Sequence, residues 1–231
     1  MDTLRKVGIG ALLVSLGVGM TSNILFLAAF QFRMDWFLDP VRILGAGASS
    51  AGFLRWAALL DLIGYYLATA VLAYVLWRIL RLRNPMLADL ATLAALGYAL
   101  IGGAGAAVLA IVGPMLMNEY AIAASSGEQE LIAVHFAVLL EVVWRSIWQF
   151  LDGILMAAWW LAIGFLVRTD HPGVSRLSYA LGVLAGVFSV LNALGFGFGR
   201  DVVLGVVFAL WTVWWVCLLI IFRRGPLSWA P

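Results

Sequence analysis

Apolar residues dominate this chain in six stretches, each of about 20 residues or more, separated by short polar clusters. That length suits a helix crossing a bilayer, so the pattern predicts spans at 7–30, 54–77, 88–116, 144–167, 177–198 and 202–222. Residues 130–143 predict an outer amphipathic helix leading into the fourth span. The breaks carry turn chemistry: Asp39-Pro40 before a Gly/Ala/Ser-rich run, Asn84-Pro85, and Pro172-Gly173. The expected fold class is all-α, a polytopic transmembrane helical bundle of six spans forming one integral membrane domain over residues 1–231.

Composition strengthens this picture. Of 231 residues, 65% are hydrophobic and only 11% charged, where a soluble domain carries about 25% charge. Such a chain has too little polar surface for water, and the bilayer must be its solvent. The net charge of +2 gives no reason to expect nucleic acid as a partner. A single cysteine, Cys217, rules out a redox relay built on an internal cysteine pair. His135 and His171 are far apart and no HExxH occurs, so neither a metal site nor a cofactor is expected.

Basic residues set the expected orientation. Arg5, Lys6, Arg78, Arg81, Arg83, Arg168, Arg176, Arg223 and Arg224 fall on one side, and Arg33, Arg42, Arg55 and Arg200 on the other. The positive-inside rule then places both termini in the cytoplasm, in a bacterial inner membrane. The connection 117–130, with three Glu and no Lys or Arg, falls outside. Most of the 11 Trp residues are expected at the interfaces, with Trp36, Phe37 and Phe53 in the headgroup zone.

Charge inside a span is costly and usually has a task. On a helical wheel Glu141, Arg145, Trp148, Gln149 and Asp152 share about 100° of arc, and Trp159 continues the stripe. Glu141 and Arg145 have the i,i+4 spacing of an ion pair, acid first, which suits the membrane interface. Asp152 lies deeper, roughly 12 Å below the outer end of its span. Asn23, Asp61 and Asn192 fall at similar depth on the first, second and fifth spans, with Ser22 and Ser189 in the same layer and Tyr65 one turn from Asp61.

Two accounts of this layer compete. The polar groups could bond across helices and hold the bundle together, as the small faces at Gly102, Gly103, Gly105, Gly182 and Gly186 would also do. Alternatively, Asn23, Asp61, Tyr65, Arg145, Gln149, Asp152 and Asn192 line an outer-leaflet pocket for a small lipophilic or cationic ligand. The excess of acid in the layer favours the pocket. Two further roles stay open: an accessory or assembly subunit with a membrane-protein partner or a homo-oligomer, and an intramembrane lipid-modifying enzyme. No positioned nucleophile supports the last, so no catalytic residue is assigned. Membrane lipids are partners in every case.

Three stretches carry a family resemblance: DPVRILGAGASS (39–50), RWAALLDLIGYYLATAVLAYVLW (55–77) and RLSYALGVLAG (176–186). In these the chain resembles the bacterial membrane proteins grouped as domain of unknown function 4386. The resemblance implies a six-helix membrane fold over nearly the whole chain and brings no activity with it.

Overall fold

The computed structural model describes residues 2–33 and 40–224, with 40, 48 and 197–201 described through the backbone alone. Six helices among these residues are long and apolar enough to cross a membrane. They are α1 (Asp2–Ala29), α2 (Ser49–Leu80), α3 (Pro85–Ile122), α4 (Ser126–Leu166), α5 (Pro172–Ala193) and α6 (Val202–Arg224, continuing a helix that begins at Gly197). No strand occurs among the described residues. The chain is a multi-pass helical membrane protein. Successive helices alternate in direction, so both described ends reach one face of the bundle, here termed the terminal face. The opposite face is the distal face.

Local chemistry fixes the helix starts. Asn84 caps α3, its side chain accepting from the Leu87 amide at 3.0 Å, with Pro85 in the first turn, where a missing N–H costs nothing. Ser125 accepts from the Glu128 amide, while Glu128 Oε2 reaches back to the Ala124 amide at 2.9 Å. This reciprocal pair is a variant of the capping box. It starts α4 at Ser126, four residues before the expected 130, and from there the helix runs on through the fourth span without a break. Pro172 likewise opens α5, five residues before the expected 177. Gly195, at φ +75°, turns the chain after Ala193, so residues 194–198 do not extend the fifth span. The backbone at 200 and 201 is helical. Trp36, Phe37 and Asp39 lie outside the described residues.

Lengths differ sharply. At 1.5 Å per residue, the 22-residue α5 spans about 33 Å, while the 38 residues of α3 reach about 57 Å and the 41 of α4 about 61 Å. The shorter helices match a bilayer core of about 30 Å. The α3–α4 hairpin therefore projects beyond α5 at the distal face. A second apolar core lies at this end, where Leu109, Met117 and Phe136 of the hairpin cluster with Ile43 and Leu44 of the 3-10 segment Pro40–Ala46, Phe26 of α1 and Leu54 of α2.

The main core lies towards the terminal face. Trp159 and Trp160 of α4 meet Trp214 of α6, with ring centroids 5.4 Å apart for Trp159 and Trp214. Trp159, Trp160, Trp211, Trp214 and Trp215 are all buried, so these five of the 11 are core residues and not interfacial anchors. Trp214 Nε1 donates to Ser178 Oγ at 2.8 Å, while the indole nitrogens of Trp160, Trp211 and Trp215 are buried without an acceptor. Small residues bring the backbones close. A side chain at Gly182 would strike Leu161 of α4, and one at Gly64 would overlap the Gly19 backbone of α1. Gly186 makes only ordinary contact.

Three helices contain wide, π-helical turns: Ser15–Gly19 in α1, Leu62–Leu67 in α2 and Glu141–Leu151 in α4. Those of α1 and α2 face each other across the Gly19–Gly64 contact. Such turns often mark functional sites in helices.

Candidate functional site: an acidic, aromatic cavity

Between the two cores lies a cavity of about 340 Å³. It is bordered by all three wide-turn helices together with α3, α5 and α6. Five sequence-predicted residues come together in its wall: Asn23, Asp61, Tyr65, Gln149 and Asp152. Two do not. Arg145 is half-exposed and pairs with Glu141 at 3.3 Å. Asn192 donates to the Arg145 carbonyl at 3.0 Å, joining α5 to α4 beside the cavity.

The division falls along the wide turn of α4. A π-helical turn closes i→i+5 bonds and turns the chain less per residue than an α-helix, which rotates Asp152 away from Glu141 eleven residues earlier. Glu141 and Arg145 are exposed, while Gln149 and Asp152 are buried, at 8% and 5% exposure. The polar stripe drawn on an ideal wheel does not stay on one face. In α2 the wide turn buries both members of the Tyr65-Tyr66 pair.

Asp152 is the most constrained group. Tyr66 Oη donates to its Oδ2 at 2.9 Å, and the Tyr66 ring lies on Tyr98 with centroids 4.7 Å apart. Gly102 of α3 leaves room for this pair, because a Cβ there would strike both the Tyr66 ring and the Asp152 carboxylate. Trp148 Nε1 donates to the Gly102 carbonyl at 3.1 Å, tying α4 to α3 at the same level. The other carboxylate oxygen, Asp152 Oδ1, is buried without a hydrogen-bond partner, as is Gln149 Oε1. Asp61 is half-buried in the same wall.

Tyr65 accepts from Asn23 Nδ2 at 2.6 Å, and its ring packs against Trp211 and Trp215, each with centroids 5.3 Å away. On the distal side Phe26 meets Trp144 and Trp148 edge-on. Ten of the 20 described lining residues are aromatic, two are Asp, and none is Lys, Arg or His. That balance suits a cation, which gains from both carboxylates and aromatic faces. No group of three or more His, Cys, Asp or Glu residues able to hold a metal occurs among the described residues.

Tyr66, Tyr98, Trp160 and Trp211 also form the wall, although a count of depth along the spans does not single them out. Adjacent tyrosines beside a buried acid were the available signal for Tyr66. Ser22 and Ser189 turn out to bond backbone carbonyls, Ser22 Oγ donating to Ala57 at 2.8 Å and Ser189 Oγ to Ala185 at 3.0 Å.

The cavity opens sideways. Helices α1 and α6 pack together through Asp2–Val14, but their contact thins over Met20–Ala29. Cavity residues sit on both sides of this gap, Asn23 and Leu27 on α1, Leu204 and Phe208 on α6, and none of the four is fully buried.

The fold and cavity define a class, a polytopic helical membrane protein with an acidic, aromatic site inside its bundle. Comparison with protein-family models, with curated proteins and with solved structures finds no match to this chain.

Proposed function

We propose that this protein binds, and in binding carries, a small lipophilic cation in the cavity between α1, α2, α4 and α6. The observation carrying this reading is the pairing of Asp61 and Asp152 with ten aromatic residues in a wall that has no described cationic side chain. Buried carboxylates need a proton, water or a positive partner, and a cation on an aromatic wall gains from the ring faces as well. About 340 Å³ falls within the range of small-molecule sites, roughly 300–1,000 Å³. The proposal includes a bacterial inner membrane with both termini cytoplasmic, which puts the cavity in the outer leaflet, and a place among the proteins of domain of unknown function 4386.

The test is native mass spectrometry of protein gently extracted from its own membrane. A retained small cation, lost when Asp61→Asn and Asp152→Asn are combined in a variant that still folds, supports the reading. A retained small molecule that survives both changes sinks it.

A second reading rests on the projecting hairpin. Ile111, Met115, Ile122, Leu131 and Val134 are exposed on it. In an accessory subunit these side chains would meet a membrane-protein partner. A stoichiometric protein complex in the same spectra, without a small molecule, favours that role.

A further inference from the structure

Asp61 and Asp152 are held differently, and on the footing of the cation-binding reading the difference says how the site works. Asp152 is bonded to Tyr66, and its other oxygen is sealed from solvent. Asp61 lines the cavity with part of its surface accessible, and it makes no hydrogen bond or ion pair with any described residue. Its surroundings hold nothing positive. On α2 itself the nearest charged residue is Arg55, exposed and six positions away. The stretches of α1, α3, α5 and α6 that border the cavity, 20–29, 90–118, 177–193 and 202–222, contain no charged residue. The titratable groups that share the wall with Asp61 are Asp152 of α4, Tyr65 and Tyr66 of α2 and Tyr98 of α3, and all are acids. Arg145 of α4 is paired with Glu141 outside the cavity, and neither His135 nor His171 lines it. Two carboxylates in an aromatic wall without a cation are costly to charge together. A proton on one of them removes that cost, and Asp61 is the acid that a ligand can reach.

We propose that Asp61 trades its proton for the bound cation, so that the cavity is a cation–proton exchange site. The O–H bond of the Asp61 carboxylic acid breaks and its proton passes to a water molecule at the opening between α1 and α6. The carboxylate left behind pairs with the arriving cation. One positive charge leaves as one enters, so the net charge of the buried site stays constant and no extra charge is forced into an apolar interior.

The probe that tests this is the trimethyl(4-phenylbutyl)ammonium ion, a permanent cation with no proton of its own to lose. Its binding to the full chain in phosphatidylcholine nanodiscs is measured by titration calorimetry at neutral pH, in phosphate and in Tris, with empty nanodiscs subtracted. The two buffers differ in heat of ionisation, so the difference in binding heat counts the protons released. About one proton should leave per cation bound. Affinity should rise up to about tenfold per pH unit from mildly acidic to neutral pH, as that stoichiometry requires. Asp61→Asn should bind the probe about tenfold or more weakly and release no proton. Asp152→Asn, whose carboxamide oxygen can keep the Tyr66 bond, should still release a proton. Glu119→Gln, exposed and outside the cavity, should match the parent protein. Binding without proton release overturns the exchange and leaves cation binding standing. Proton release that survives Asp61→Asn, or is lost in Asp152→Asn or Glu119→Gln, overturns the assignment to Asp61. No binding of the probe overturns both readings.

Discussion

Tyr66 and Asp152 meet across the α2–α4 interface, the phenol O–H donating to one carboxylate oxygen while the other has no partner. Two buried polar groups thus depend on one hydrogen bond. Tyr66→Phe removes the donor and leaves the carboxylate wholly unpaired, a cost of about 1–3 kcal/mol. Thermal unfolding in mild detergent should fall accordingly. The double variant Tyr66→Phe/Asp152→Leu should recover part of that loss, because no orphaned acceptor then remains. A double variant as unstable as the sum of the single variants would show that the bond carries no coupling.

Glycine at 64 is required by position. A Cβ there would overlap the Gly19 backbone, with Gly19 Cα 2.6 Å away, and backbone cannot swing aside as a side chain can. Gly64→Ala should separate α1 from α2 and destabilise the protein by about 1–3 kcal/mol or more. Gly10 lies in the same helix as Gly19 with nothing within 4 Å of its would-be Cβ. Gly10→Ala should be neutral or stabilise by roughly 0.5–1 kcal/mol, since alanine favours helix. Melting temperatures of the two variants should move in opposite directions or differ clearly.

At the terminal face Arg83 ties two turns together. Its guanidinium pairs with Asp170 and donates to the Leu166 carbonyl at 3.0 Å, so the α2–α3 turn holds the end of α4. His171 lies beside this pair. Burial pushes its imidazole below the ordinary value of 6.5, Asp170 pulls it up, and Arg83 lowers it further. The unfolded chain therefore takes up the proton first as pH falls. The contribution of His171 is fully present above about 6.5 and is lost as pH drops from there towards the lower folded value. Thermal stability should decline between neutral and mildly acidic pH, and less so in His171→Gln. Identical pH profiles for the two proteins would remove His171 from the account.

Orientation can be read from one site. Ser126 opens α4 at the distal face and is exposed. In a Cys217→Ser background, Ser126→Cys should react with a membrane-impermeant thiol reagent added outside intact cells. Reaction only after the cytoplasmic side is opened would invert the orientation and place the cavity in the inner leaflet.

Much of the architecture was legible in the chain because span length and apolar content are direct consequences of the bilayer. The depth argument also brought Asn23, Asp61 and Asp152 to one cavity, since helical rise converts residue count into height. The ends of α4 and α5 were less legible. Ser125 with Glu128 is a cap and Pro172 a first-turn residue, and the same residue types also punctuate loops. Rotation around each helix was least legible. Glu141 and Asp152 share a stripe on an ideal wheel, but the wide turn between Glu141 and Leu151 rotates them to different faces. Nothing in the residue types of EVVWRSIWQFL announces that turn.

The wide turns bear on heredity as well as geometry. Each is a place where one residue can be accommodated in a helix without breaking it. A related chain lacking one residue between Leu62 and Leu67 would keep a straight second helix and its place in the bundle. Its counterpart of Asp61 would still face as before relative to the helix beyond, because five residues of α-helix turn through nearly the same angle as six of the wide turn; the loss would fall on the stretch that buries both Tyr65 and Tyr66. Single-residue gaps inside otherwise uninterrupted helices would thus sort descendants that preserve the pocket from those that inherit only the scaffold.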